Sequence, residues 1–455
     1  MAVSGTKDLT RGKPMKLILG FALPLLFGVL FQQMYNFVDT AIVGKYLGTA
    51  KLGAVGSTGA VNFLIVGCSL GMCSGFSVPV SQRFGAGDLS EMRRYVMNAA
   101  YCAGVLGVLL GVVTAVLCPE ILRLMNTQPA YFEDAVSYIR VIFAAIPVTM
   151  VYNMAAGILR ALGDSKTPVL FLVMAAVVNV LLDLLFIIRF DMDVAGAAWA
   201  TVISQLLSGI GCVTVLVKRF TVLRPDREER KVSRRHIRVL LGVGLPMGLQ
   251  FSITAVGSVV LQVSVNGISE EAVAAITAGS KLSSLCSCVY DALSGTVAVY
   301  AGQNLGAGQY RRISTGLLDA AILGIIYSMM ATLTLWLFAE PLVRLFVSAD
   351  ETAVIEMTVH YLRVNSSAYI PLMFVNIVRL TVQGMGYTRV AMISGALEMV
   401  ARSAVALLLV PVYAFNAACF ANPAAWIAAD LFLFPCYFVT LRKAKRLGER
   451  GAITN

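Results

Sequence analysis

The sequence holds only two histidines in 455 residues, His236 and His360. Both fall outside the long apolar runs, which argues against histidine acid–base chemistry and against a catalytic zinc centre. Charge is scarce as well: 13% of residues are charged, where a soluble domain carries about 25%. The nine cysteines lie in or beside apolar segments without paired metal-ligand spacing, so they are expected to be small packing residues. No Gly-Lys-Ser/Thr follows either Gly-Ala-Gly turn, which excludes a phosphate loop, and no other ATP-binding motif occurs. Any uphill work must therefore draw on an ion gradient or a partner. No nucleophile–base–metal constellation stands out, so a membrane-embedded enzyme is disfavoured. No cleavable leader is evident, because the first apolar run is too long.

What is present is hydrocarbon. The chain is 58% hydrophobic with a mean hydropathy of +0.79. Its net charge of +11 could suggest nucleic acid, but the basic residues sit in short loops between apolar runs, so the lipid bilayer is the expected partner and nucleic acid is not. Twelve runs can cross a ~30 Å hydrocarbon layer as helices: roughly 15–43, 53–81, 95–118, 136–159, 168–188, 195–217, 238–265, 272–301, 313–338, 361–382, 390–413 and 419–440. None alternates as a barrel strand would. With both termini in the cytoplasm, 27 of the 36 Lys and Arg fall on the inner side, Arg379, Arg389 and Arg450 among them. The polar interval from Lys218 to Arg238 is expected to be a solvated linker.

The two halves repeat. Leu23-Pro24 matches Leu245-Pro246; Gly85-Ala86-Gly87 matches Gly306-Ala307-Gly308; Ile139-Arg140-Val141 matches Leu362-Arg363-Val364. The offsets are nearly constant and each half enters from the same side. The expected fold is an all-α integral membrane protein with twelve transmembrane helices. These form two six-helix bundles related by a pseudo-twofold along the membrane normal. The expected division is 1–217, a linker at 218–237, and 238–455.

Acids inside the runs require explanation, since burying a carboxylate in hydrocarbon is costly. Asp39 lies five residues before Gly44 and Asp183 six before Arg189. At 1.5 Å per residue both are roughly 8–9 Å below the outer boundary. Asn179 is one turn from Asp183, and Thr201 in the sixth run reaches about the same depth. Four polar groups thus share a level in the first half. Two carboxylates there can exchange a proton, or hold a monovalent cation with Asn179 and Thr201 as oxygen donors. Glu398 and Arg402, four apart, suit an intrahelical ion pair. Lys281 and Asp291 share the eighth run and are expected, with Glu398, Gln33, Tyr35 and Asn36, to line a substrate cavity. Asp430 sits near the middle of the twelfth run, with no partner to be read from spacing.

The chain resembles the multidrug and toxic compound extrusion (MATE) family along nearly its whole length. The likeness rests on Pro24 followed by Gln33-x-x-Asn36-x-x-Asp39-x-x-x-x-Gly44, on the paired Gly-Ala-Gly span ends, and on Arg160-Ala161-Leu162-Gly163-Asp164-Ser165-Lys166-Thr167-Pro168. Asp39, Asn179, Asp183 and Thr201 look like the cation site of the DinF-like branch, where matching positions are implicated in binding protons or sodium. Pro24 matches a proline where that helix is proposed to bend. The acidic C-terminal site of the NorM-like branch is not matched, for the seventh run carries Gln250 and Gln262. The resemblance implies efflux of small organic molecules, expected to be cations, by H+- or Na+-coupled antiport. It implies alternating access, no cofactor, a monomer, and a place in the cell membrane. The nearest rival is a flippase for a lipid-linked precursor; the few basic residues inside the runs weigh against its polyanionic cargo.

Overall fold

The computed structural model describes residues 6–125, 127–348 and 350–449; Arg450 and the extreme ends of the expected halves lie outside them. Within these residues the chain is helical, without strands. The helices are α1 (Pro14–Leu47), α2 (Thr49–Ser57), α3 (Gly59–Ala86), α4 (Leu89–Leu124), α5 (Pro129–Ala144), α6 (Ile146–Ala161), α7 (Lys166–Leu184) and α8 (Asp193–Arg219). There follow α9 (Arg234–Asn266), α10 (Glu270–Gly306), α11 (Tyr310–Val343), α12 (Thr352–Ser367), α13 (Tyr369–Gly384), α14 (Thr388–Ala404) and α15 (Val410–Glu449).

Nine helical stretches among the described residues are long and apolar enough to cross a membrane, and the bent pair α5–α6 makes a tenth. The last stretch, Thr388–Glu449, breaks at Ala414 (φ 47°), so it supplies two spans. The pair α12–α13 is the counterpart of α5–α6, and the total is twelve transmembrane segments. The expected fourth and tenth runs are therefore not single rods. Each breaks after an alanine, Ala145 or Ala368, and resumes with a proline near the new start, Pro147 or Pro371. Proline has no N–H to give the preceding turn, so it suits a fresh N-terminus. The second expected run likewise begins as a separate short helix, α2.

Backbone irregularities repeat with the halves. A π-helical turn, Leu185–Arg189, follows α7, and another, Val405–Leu409, follows α14. Asp191 (φ 52°) and Ala414 (φ 47°) then take left-handed backbone at the reversals into the sixth and twelfth spans.

The chain forms two compact units. One comprises Met1–Arg11 and Leu23–Gly248, the other Gly12–Ala22 and Leu249–Asn455. The divisions fall inside α1 and α9, close to the matching prolines Pro24 and Pro246, not at the linker. In the first unit α3, α4, α5, α6 and α8 surround a core that includes Met72, Phe76, Met92, Phe143 and Met150. The start of α9 packs tightly there: a Cβ on Gly75 would lie 2.6 Å from the Gly244 Cα. In the second unit a core including Leu261, Ile276, Leu362, Ala418 and Cys419 joins α9, α10, α12 and α15.

The interval 218–238 is mostly exposed, as expected of a linker, but it is docked on α4 and not free. Glu229 is buried and takes Nε and Nη2 of Arg93, at 2.6 and 2.8 Å, together with the Ser90 hydroxyl and the Asp226 N–H. Tyr101 donates to the Arg230 carbonyl, and Asn98 Oδ1 accepts from the Ser233 N–H. His236, at the start of α9, is held between Ser233 and Glu91. The Arg93 guanidinium, then Ser90 and the Asp226 N–H, hold the Glu229 carboxyl down to about 2.

Candidate functional site

The polar cluster of the first unit is assembled from α1, α7 and α8. α8 supplies Thr201, whose hydroxyl donates to the Ala197 carbonyl at 3.1 Å. With its single hydrogen used there, Thr201 Oγ1 accepts from its other neighbours. Asn179 Nδ2 donates to it at 3.3 Å, and the Tyr35 hydroxyl lies 3.4 Å away. This orients the Asn179 amide, leaving its Oδ1 without a partner.

Asp39 and Asp183 adjoin each other. Asp183 is fully buried and Asn179 nearly so. Asp39 Oδ1, both Asp183 oxygens and Asn179 Oδ1 are buried and take no hydrogen bond from the protein. A buried acceptor left unmade costs about 1–3 kcal/mol, more when charged. Four such oxygens from two helices leave a local excess of unmatched acceptors, which positive charge would satisfy. A proton shared between the carboxyls would satisfy it, and so would a monovalent cation. Among the described residues no group of three or more His, Cys, Asp or Glu is arranged for a metal ion, so a carboxylate-rich divalent cage is not part of this geometry. The π-helical turn begins two residues after Asp183, where a widened turn commonly marks functional helix.

Tyr35 therefore belongs with this cluster by its hydrogen bond. Gln33 and Asn36 bond each other along α1 (3.3 Å), and Asn36 is exposed. Tyr138 of α5 was not singled out from the sequence; it lies alongside Tyr35, Asp39 and Asp183 and packs on Ile42, Val43, Ile187 and Ala197. Its only sequence signal was a hydroxyl inside an otherwise apolar span. Pro24 lies within α1, immediately past the boundary at which that helix changes unit. At the α2 end of the unit, Lys51 Nζ bridges Asp134 (2.7 Å) and Asp193, tying α2, α5 and α8 together. Asp134 first, then Asp193, hold its ammonium form above the usual lysine range.

The second unit is built differently. Lys281 and Asp291 are exposed on α10. Glu398 is buried with one oxygen on Arg402 (2.9 Å) and the other on Arg379 (2.6 Å). Arg379 is not the loop residue expected from the charge pattern: it sits inside α13 and is buried. Gln250 is buried and accepts from Gln383 at 3.1 Å.

Twelve membrane-crossing segments in two repeated halves, with buried ionisable groups, define a multi-pass membrane transporter. The MatE family model matches residues 24–185 and 246–408, one match in each half. The chain belongs to the MATE family, whose members are transporters of small molecules, not enzymes, and need no cofactor. It is 29% identical to the probable multidrug resistance protein YpnP of Bacillus subtilis (strain 168) over 76% of this chain and 77% of that one. It is 25% identical to an FAD transporter of Shewanella oneidensis over 78% and 79%. A solved outward-facing multidrug resistance MATE transporter superposes with a TM-score of 0.91 at 22% identity, covering 98% of this chain and 100% of that one; this likeness concerns the fold.

Proposed function

We propose that the protein is a secondary active multidrug efflux transporter of the cell membrane, with both termini in the cytoplasm, working as a monomer. A proton or sodium ion binds at Asp39, Asn179, Asp183 and Thr201, and its movement down its gradient drives an organic compound outward by alternating access. The observation that carries this reading is the set of four buried oxygens without a protein donor. Coupling requires that ion and substrate favour different states; equal affinity for both states would shift nothing. The test is uptake and efflux of a fluorescent organic cation in proteoliposomes, comparing wild type with Asp39→Asn. Wild-type efflux by the folded variant refutes the site.

The relative named as an FAD transporter supports a second reading of the cargo, an anionic flavin nucleotide. Competition by FAD against the fluorescent cation separates the two: inhibition supports the nucleotide, its absence the cation.

A further inference from the structure

The second unit contains an acid that none of these assignments uses. Asp430 of α15 is buried, and its Oδ1 takes no hydrogen bond from the protein. Its charged neighbours are Arg379 of α13 and Glu398 of α14. Yet Arg379 is turned elsewhere: its Nε donates to Ser394 (3.1 Å) and its Nη2 to Glu398. Arg402 of α14 is committed too, through Nη2 to Glu398, Nε to Asn422 (3.0 Å), and Nη1 towards the Thr254 carbonyl and Ser258. The other elements against α15 bring no further charge to Asp430. α12 contributes the Tyr361 hydroxyl, which meets Asn422, and His360, which lies against Phe415. The turn Val405–Leu409 is apolar, and α11 meets α15 through Ser314 and Tyr437.

Charge and hydrogen bonding pull Asp430 in opposite directions. Two arginines and one glutamate leave one net positive charge. An ionised Asp430 would cancel it, while both guanidinium groups form their ion pairs with Glu398 here. With Oδ1 buried and given no donor, the carboxylate is costly in this arrangement and the neutral acid suits it; the net positive charge favours the carboxylate once Arg379 turns to meet it.

We propose that Asp430 is a second proton-binding site, with Arg379 as its switchable partner. Protonated, Asp430 is neutral and Arg379 clamps α13 to α14 through Glu398. When Asp430 loses its proton to water, the new carboxylate draws Arg379 across to α15, and Glu398 remains bound by Arg402 alone. One proton thus exchanges the α13–α14 link for an α13–α15 link.

The experiment is infrared difference spectroscopy of the full-length protein in lipid nanodiscs, stepped from acid to alkaline buffer. Protonated carboxylic acids show a carbonyl band that shifts in heavy water. The expected result is such a band that survives in Asp39→Asn/Asp183→Asn and disappears in Asp430→Asn. Arg379→Gln should carry the band to higher pH, since it removes the cation that favours ionisation. A band unchanged by Asp430→Asn, or explained wholly by Asp39 and Asp183, overturns the proposal and leaves the transport reading intact. Should Asp430→Asn not fold, Asp430→Glu must move the band; an unmoved band counts equally against it. No step measures transport, so a failure of the antiport reading cannot pass for a failure here.

Discussion

Replacing Glu398 by glutamine isolates the value of one buried charge. The two side chains have nearly the same volume, so no cavity is created. Glu398 now binds Arg379 with one oxygen and Arg402 with the other. The three residues are 6%, 6% and 5% exposed, so water does not screen the loss. Removing one partner of a buried ion pair costs about 3–5 kcal/mol, because the remaining charge stays buried. Here two guanidinium groups lose the same carboxylate, which places Glu398→Gln at or above the top of that range. The assay is thermal unfolding in detergent followed by a thiol-reactive dye. All nine cysteines are free and six are buried, so unfolding exposes them. Lys231→Gln is the control: Lys231 and Glu228 form an exposed pair, worth about 0–1 kcal/mol. A Glu398→Gln midpoint no lower than that control would refute the reasoning. Converting all three residues to apolar ones of similar volume should restore much of the loss, because it leaves no charge behind.

Other consequences follow from the same geometry. Glu229 titrates well below its ordinary 4.5, so linker docking is fully stabilised above about pH 4.5 and is lost as pH falls towards about 2; hydrogen exchange at residues 220–233 should rise over that window and not between pH 5 and 8. Glu229→Gln should make the linker sensitive to trypsin at neutral pH. Lys51→Met should lower the melting midpoint only slightly, since the bridge is partly exposed and such pairs contribute about 0.2–1 kcal/mol; high salt should produce the same small drop in wild type. Gly384→Ala would press a methyl into the Ala298 carbonyl and should cost about 1–3 kcal/mol by overpacking, read with the same dye.

Local arithmetic carried the sequence a long way. Constant offsets between Leu23-Pro24 and Leu245-Pro246 revealed two halves, and rise per residue put Asp39, Asn179, Asp183 and Thr201 at one level. Those inferences need only helical period and span ends. What escaped depends on contacts between residues far apart in sequence. Glu229 and Arg93 are separated by 136 positions, and nothing near either announces the other, so the linker reads as solvated. Arg379 resembles a loop residue because it lies near the end of an apolar run; only its approach to Glu398, 19 positions on, explains its burial. The breaks after Ala145 and Ala368 were hidden because hydropathy averages across a bend. Tyr138 escaped because one hydroxyl in an apolar helix has no spacing rule to mark it.

The central claim is that Asp39 and Asp183 form the coupling site. Its most direct test is efflux from proteoliposomes with pH and sodium gradients imposed separately, for wild type, Asp39→Asn, Asp183→Asn and, as the control, Asp319→Asn, an acid of α11 in the second unit. The account predicts that one gradient drives wild-type transport, that both site variants lose it while remaining inserted, and that Asp319→Asn, which lacks a place in the cluster, is mildly affected. Gradient-driven efflux at the wild-type rate in either site variant would contradict it.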